Sequence, residues 1–264
     1  MHKIKQYGWK RGLPLYGHPK FEKASIAATP MRADITADMP SIYDQLYLGS
    51  CTANAGGTLG QFLTKKLGFK DYMPARLAIY YWTRELEGNV SEDSGASITA
   101  TMQAMSAKGV PNEANWPYDI NKFTKTPTSR IAVNGKQHLV LDPLQVNQNM
   151  DDIRACIAFG YPVIFGFAVY ESFESDAVTK TGVVPMPKHG EYILGGHAVT
   201  IVGYDDYAKT VRCRNSWGPA WGQKGHFTLP YDYVANPQLA DDFWTATKIT
   251  GWRPPKGVTT KVNL

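Results

Sequence analysis

Residues 195–222 read GGHAVTIVGYDDYAKTVRCRNSWGPAWG, and the fold is decided by how this stretch is read. HAVTIVGY (197–204) and KTVRCRNSW (209–217) are short runs rich in β-branched and aromatic residues, divided by a turn, which is the pattern of two strands,. His197 opens the first strand directly after Gly195 and Gly196, which leave room for another group to approach,. Asn215 stands near the end of the second, beside Trp217 and Trp221. An Asn amide accepting from one imidazole nitrogen would fix the tautomer of His197 and leave the other nitrogen facing a reaction partner. Indole rings over that bond would exclude water. Taken alone, a His at the head of an apolar strand is an ordinary structural residue, so its meaning depends on what the rest of the chain supplies.

Outward from this stretch, YPVIFGFAVY (161–170) and GHFTLPYDYV (225–234) read as further strands,. Upstream the period changes to that of helices. Ala55, Leu59, Phe62, Leu63 and Leu67 recur at helical spacing after Cys51, and Gly68 closes the run,. PARLAIYYWTREL (74–86) and ITATMQAMSAK (98–108, stopped by Gly109) are two more helices, and a short one over 151–159 ends at Gly160,. Residues 28–45 are extended and punctuated by Pro30 and Pro40. A helical first half and a strand-rich second half make the class α+β, in two lobes.

The 264 residues can bury a sizeable core, and a 43% hydrophobic, 19% charged composition is that of a globular protein,. No stretch approaches the roughly 18 apolar residues that a membrane span needs. The start MHKIKQYGWK lacks the apolar core of a signal peptide,. Three cysteines are too few, and odd in number, for a disulfide framework,. Cys156 falls on the apolar face of the short helix and Cys213 alternates with Val211, so both read as structural thiols. No Cys-x-x-Cys or His-x-x-x-His spacing occurs, so neither a metal nor a cofactor is expected,. A cytoplasmic location is favoured by the same two features, the missing signal peptide and the missing disulfide framework.

The net charge of +5 is concentrated at one end. Residues 1–25 carry Lys3, Lys5, Lys10, Arg11, Lys20 and Lys23 against Glu22, which leaves 22 basic and 22 acidic residues beyond them. Such an arm, with Tyr7, Trp9, Tyr16 and Phe21 interleaved, offers either a nucleic-acid contact or a segment that packs its aromatics on its own protein,. The second reading is preferred, because nucleic-acid modules spread basic charge over a folded face.

Cys51 lies in DQLYLGSCTANAGG (44–57), after a Gly-Ser turn and at the first turn of a helix. There the partial positive charge of unpaired N–H groups favours thiolate. Gln45, six residues upstream, can set a side-chain amide beside the Cys51 N–H, and the two donors together would make an oxyanion hole,.

The ordered set of Gln45, GSC ending at Cys51, GGHAV with His197 and NSWGPAWG with Asn215 resembles the papain family of cysteine peptidases. His197 lies 146 positions after Cys51, within the family's separation of about 130–150, and Asn215 lies 164 after it, which points to an insertion in the strand lobe,. The resemblance spans roughly residues 36–250. It implies a helical lobe over about 41–122, a β-rich, barrel-like lobe over about 123–264, and an active site in the cleft between them. Residues 1–35 stand outside that domain as a basic aromatic arm. It is either a short pro-segment over Cys51 or a brace along the β-rich lobe, and a brace is the preferred reading because Trp9, Leu13, Leu15 and Tyr16 suit a fixed apolar seat.

Two departures matter. Leu48 stands where the family has a disulfide cysteine, and Thr52 where it has an aromatic beside the nucleophile. By alignment, SEDSGASI (91–98) falls where the family pairs with substrate backbone, so Gly95 and Ala96 would bind peptide main chain. The alternative is that this segment is simply the cap before Ile98. Ile98, Gly166 and Ala198 would line the pocket for the second residue before the scissile bond, and Trp217 would border the cleft.

The activity so implied is endopeptidase hydrolysis by Cys51, His197, Asn215 and Gln45 through a thioester acyl-enzyme, on a peptide or protein substrate. A monomer is expected, with no nucleic-acid or membrane partner. Two alternatives remain on the same scaffold: an acyl transferase, in which an amine replaces water, and a non-catalytic peptide-binding protein.

Overall fold

The computed structural model describes residues 7–13, 15–22 and 29–251. Lys3, Lys5 and Lys23 of the basic arm and the last 13 residues of the β-rich lobe fall outside these. The chain runs β1 (Arg32–Asp34), α1 (Cys51–Lys66), α2 (Arg76–Leu86), α3 (Ile98–Ala107), α4 (Ser129–Gly135), β2 (Pro143–Gln145), α5 (Met150–Ala158), β3 (Val163–Tyr170), α6 (Asp176–Thr181), β4 (Ile193–Asp205), β5 (Thr210–Arg214), β6 (His226–Pro230), α7 (Tyr231–Ala235) and β7 (Ala240–Ala246). The fold is therefore α+β, as the sequence indicates. The seven strands form one open antiparallel sheet in the order β2-β7-β3-β4-β5-β6, with β1 pairing to β4.

The central strands are apolar on both faces because both faces are covered. Phe165, Phe167, Val199 and Ile201 point into the core of the β-rich lobe, with Phe227, Leu229 and Tyr233. Ile164, Ala198 and Val202, their alternates along β3 and β4, join Leu59, Phe62, Leu77 and Met102 of the helices in a second core. The sheet is thus the wall between the lobes. Where α1 begins and β4 emerges from this wall, their ends meet at the cleft.

One strand is shorter than its pattern. The run 225–234 stays extended only to Pro230, and Tyr231–Ala235 turns into a helix. Proline has no N–H for the ladder and a φ of −59° ready for a helix start, so the ladder stops at Pro230,.

Leu48 is buried, and Cys51, Cys156 and Cys213 are all free thiols. A buried arginine does the tying work in the helical lobe. Arg84 lies over Tyr80 (4.1 Å) and Phe123 (5.1 Å). Its guanidinium donates to the carbonyls of Val90 (3.0 Å), Glu92 (2.6 Å) and Phe123 (2.5 Å). Arg84→Leu strands those three acceptors. At roughly 1 kcal/mol for each hydrogen bond lost from a part-buried carbonyl, a loss of about 3 kcal/mol is expected in denaturant unfolding.

Candidate active site

Cys51 is the first residue of α1 and fully buried. Ser50 caps the helix without a side-chain hydrogen bond, so it takes up none of the first-turn amides of α1,. Burial pushes the thiol up to about 12. Opposing it are backbone N–H groups at the sulfur from Ala198, Gly8, Thr52 and Cys51 itself. Ala198 follows His197 on β4, so the thiol lies against the backbone next to His197, brought there from the helical lobe.

His197 is also fully buried, and its Nε2 lies 2.8 Å from Asn215 Oδ1. The N–H of Ser216 donates to that same Oδ1 at 2.8 Å. An atom accepting a backbone N–H is the amide oxygen, so Nε2 carries the proton in that bond and Nδ1 is the nitrogen left for proton exchange. Trp217 lies over the imidazole at 5.0 Å and 30°, and Trp221 and Phe173 pack edge-on against Trp217 at 5.1 and 5.5 Å. The aromatic cover anticipated over the His197–Asn215 bond is present.

Gln45 is buried and fixed at both ends of its amide. Its Oε1 accepts from Ser216 Oγ at 2.6 Å, and its Nε2 donates to Leu48 O at 2.9 Å, which uses one of two N–H bonds,. The turn that presents it is strained, because Leu46 adopts a left-handed φ of 55°,. Tyr118 Oη donates to Gln45 O at 3.0 Å and Arg76 to Asp44 O at 3.2 Å, and these hold the turn. Asp93 ties the next part of the loop, accepting from Gly49 N and from Tyr80 Oη (2.5 Å). The roles of Ser216 and Asp93 carried no local signal in the sequence, since each works through hydrogen bonds to groups far along the chain.

Gly95 and Ala96 lie on the cleft rim. Gly95 takes φ +68°, and both backbone groups of Ala96 face the cleft. The segment caps α3, because Ser97 accepts from Ala100 N at its start. Gly166 pairs with Ala198 across β3 and β4, and Ile98 is buried in the same apolar cluster as Ala198.

The cleft is occupied by the chain's own arm. Ala96 N donates to Gly8 O at 2.7 Å, Lys10 N donates to Ala96 O at 3.0 Å, and Trp9 N donates to Gly196 O at 2.8 Å. Gly8 stands against the Cys51 loop so closely that a Cβ on it would lie 1.8 Å from Gly49 O. Tyr7 sets its ring on His197 (6.1 Å) and Trp217 (6.3 Å), and its hydroxyl donates to Glu174. Trp9 is buried against Gly166 and Gly196. The arm therefore runs from the His197 side at Tyr7, past the thiol at Gly8, to the Ala96 side at Trp9. A common apolar seat for Trp9, Leu13, Leu15 and Tyr16 along the β-rich lobe is not what forms. Leu13 is 84% exposed and Tyr16 95%, while Trp9 sits in the cleft. The arm meets the β-rich core at two separate points, Tyr7 against it beside His197 and Phe21 buried within it.

Among the described residues no His, Cys, Asp and Glu cluster is placed to hold a metal, and no helix is long and apolar enough to cross a membrane.

A model of the papain family of cysteine proteases matches residues 87–245, which include His197 and Asn215 and begin downstream of Cys51. An uncharacterised peptidase C1-like protein of Acanthamoeba polyphaga mimivirus is 41% identical over 216 residues, covering 78% of this chain and 70% of that protein. The crystal structure of xylellain, a cysteine protease from Xylella fastidiosa, superposes with a TM-score of 0.86 at 35% identity, over 96% of this chain and 98% of that one. A cathepsin B-like cysteine proteinase 4 of Caenorhabditis elegans is 32% identical over 115 residues, 43% of this chain and 32% of that protein.

Proposed function

Because the chain belongs to the papain family of cysteine proteases and is thereby a peptidase, we propose that it hydrolyses peptide bonds through Cys51, His197, Asn215 and Gln45, and that residues 7–10 hold it closed until they are displaced. The observation that carries the catalytic part is the meeting of Cys51 and the His197–Ala198 segment, with Nε2 of His197 committed to Asn215. Nδ1 then takes the thiol proton. The thiolate attacks the carbonyl carbon, and the Cys51 N–H and Gln45 Nε2–H hold the oxyanion. His197 returns the proton to the leaving amine, and water releases the acyl-enzyme with the same imidazole as base. Nothing favours an amine over water as the second acceptor, so hydrolysis is the reading and transferase activity is its alternative. Product analysis with and without added amine separates them.

The polarity of the arm supports its role as an inhibitor rather than a substrate. The leaving amine must emerge beside the imidazole that protonates it, so a substrate's C-terminal part lies toward His197 and Trp217 and its N-terminal part toward Ala96. The arm runs the other way. A reversed chain offers the thiol no carbonyl with its leaving nitrogen at His197, and it survives in place. While it stays, the thiol is dehydrated and held near 12, above neutral pH, so it remains neutral,. Iodoacetamide at pH 7 is therefore expected to label Cys51 of the full chain slowly. In a Trp9→Ala chain labelling should be at least tenfold faster. Equal rates would remove the arm from this role.

Gln45→Ala in the opened enzyme should lower kcat by roughly 10²–10³, the usual cost of one oxyanion donor; an unchanged kcat means that the oxyanion lies elsewhere. Activity should follow a bell-shaped pH profile whose two limbs belong to the coupled thiol–imidazole pair. It should be indifferent to chelators, and inhibition by EDTA would contradict a thiol mechanism without metal. The three unpaired thiols support a reducing, cytoplasmic setting,, which cell fractionation decides.

A further inference from the structure

The seat of Trp9 carries an inference about substrate choice, which rests on the peptidase reading above. Gly166 lies on β3 at the back of the cleft. A Cβ placed there would sit 1.8 Å from Trp9 Cε2 and 2.2 Å from Cδ2 and Nε1, and the nearest atoms to it are all of Trp9. At Gly196 an added Cβ would lie 2.6 Å from Trp9 Cε3 and 2.4 Å from its carbonyl oxygen. The indole thus lies flat on bare backbone on the sides where any other residue would project a side chain. Ala96, Ile98 and Ala198, in the same apolar cluster as Trp9, keep the remaining walls low or aliphatic. Arg11 closes the outer side, its guanidinium 5.8 Å from the ring and 2.9 Å from Asp241. The only polar atom of the ring, Nε1, is buried without a hydrogen-bond partner.

We infer that this slot selects substrates with a flat bicyclic aromatic side chain, the size of tryptophan, at the second residue before the scissile bond. The position follows from the arm itself. Gly8 stands at the thiol, and Trp9 is the next residue on the acyl side, where Ala96 and Gly196 bind main chain. Two glycines side by side give the slot depth that a β-branched or even an alanine wall would abolish, and ring area is what such a slot rewards. The unpaired Nε1 adds a sharper consequence. A ring of the same outline with no N–H leaves no polar group unsatisfied on burial, so 2-naphthylalanine should be accepted at least as well as tryptophan.

The test uses the full chain with Trp9→Ala, which empties the slot, and fluorogenic dipeptides that vary only at the second residue before the cut. kcat/KM should be at least tenfold higher for tryptophan than for valine or alanine, and 2-naphthylalanine should equal or exceed tryptophan. Adding Gly166→Ala should reduce the tryptophan-to-alanine ratio at least tenfold. With Trp9 gone, the new methyl meets none of the atoms it would have struck, so the double variant is expected to fold. Cleavage with no aromatic preference, or a ratio indifferent to Gly166→Ala, overturns the slot and leaves the peptidase reading intact. The converse failure is read by calorimetry on the Cys51→Ala, Trp9→Ala chain. If no peptide is cleaved yet the tryptophan dipeptide amide binds at least tenfold tighter than the alanine one, the slot stands and the catalytic assignment falls; equal binding there overturns the slot.

Discussion

Cys51→Ala, placed in the opened Trp9→Ala chain, abolishes peptide hydrolysis, with an expected loss of about 10⁶-fold, the scale set by removing a catalytic nucleophile that works as a unit with its base. The melting temperature should hardly change, since the substitution deletes one sulfur atom at the head of α1 and no hydrogen bond that secures a loop. Cys156 and Cys213 are the controls. Both are buried in the β-rich core, where burial raises their thiols too, but neither has an imidazole beside it or a helix N-terminus beneath it. Their alanine variants should keep the rate and lose some stability through the cavity. The contrast is informative because all three thiols share full burial. What distinguishes Cys51 is its place at the first turn of α1, with the amides of Ala198 and Thr52 at the sulfur and His197 next along β4. Residual cleavage by Cys51→Ala beyond about 1% would assign the nucleophile elsewhere.

How far the sequence reaches depends on the range of the interaction that fixes each residue. α1, α2 and α3 were readable because each carries its own periodicity, and α1 and α3 also their own terminators, Gly68 and Gly109, both at positive φ. The pairing of His197 with Asn215 was readable because the strands carrying them follow one another, joined by a short turn. β7 escaped because Asp241 and Asp242 interrupt its alternation. Asp242 is half-buried and held at the start of α3, accepting from Ile98 N and Thr99 Oγ1 as well as from Trp244 Nε1, contacts 144, 143 and 2 residues away. No local pattern announces a residue of that kind. Gln45 is expected beside the thiol, and its amide is held by Ser216 from 171 residues away, a partnership that no local pattern announces. The seat of Trp9 was misread for a different cause. Apolar residues of the arm were treated as one set seeking one surface, whereas the glycines that make a seat for an indole are Gly166 and Gly196, and an empty slot leaves no hydrophobic signal in the sequence.

That misreading sharpens the last expectation, because the arm has two parts with separate tasks. Residues 7–10 lie in the cleft. Residues 18–21 lie on the β-rich lobe, where Phe21 N donates to Gln145 O at 2.8 Å, Gln145 N donates to Pro19 O at 3.0 Å, and Phe21 packs on Phe159 at 6.1 Å. Deleting residues 1–12 should therefore raise peptidase activity and lower the melting temperature only by what closure of the cleft contributes, which is less than the longer deletion costs. Trp9 alone is a buried aromatic anchor, for which truncation costs about 2–4 kcal/mol, or roughly 30- to 1,000-fold in the open fraction at 1.4 kcal/mol per decade. Losing the main-chain bonds of Gly8 and Lys10, and the high effective concentration that tethering gives, adds to this. The full deletion is expected to activate by roughly 10³-fold or more. Deleting residues 1–30 should activate equally but lower stability further, because it also strips Phe21 from the core and the backbone pairing from β2. The two deletions measured together separate inhibition from bracing. If the shorter deletion lowers the melting temperature as far as the longer one and leaves activity unchanged, residues 7–10 are a structural strand in the cleft and the enzyme is open by some other route.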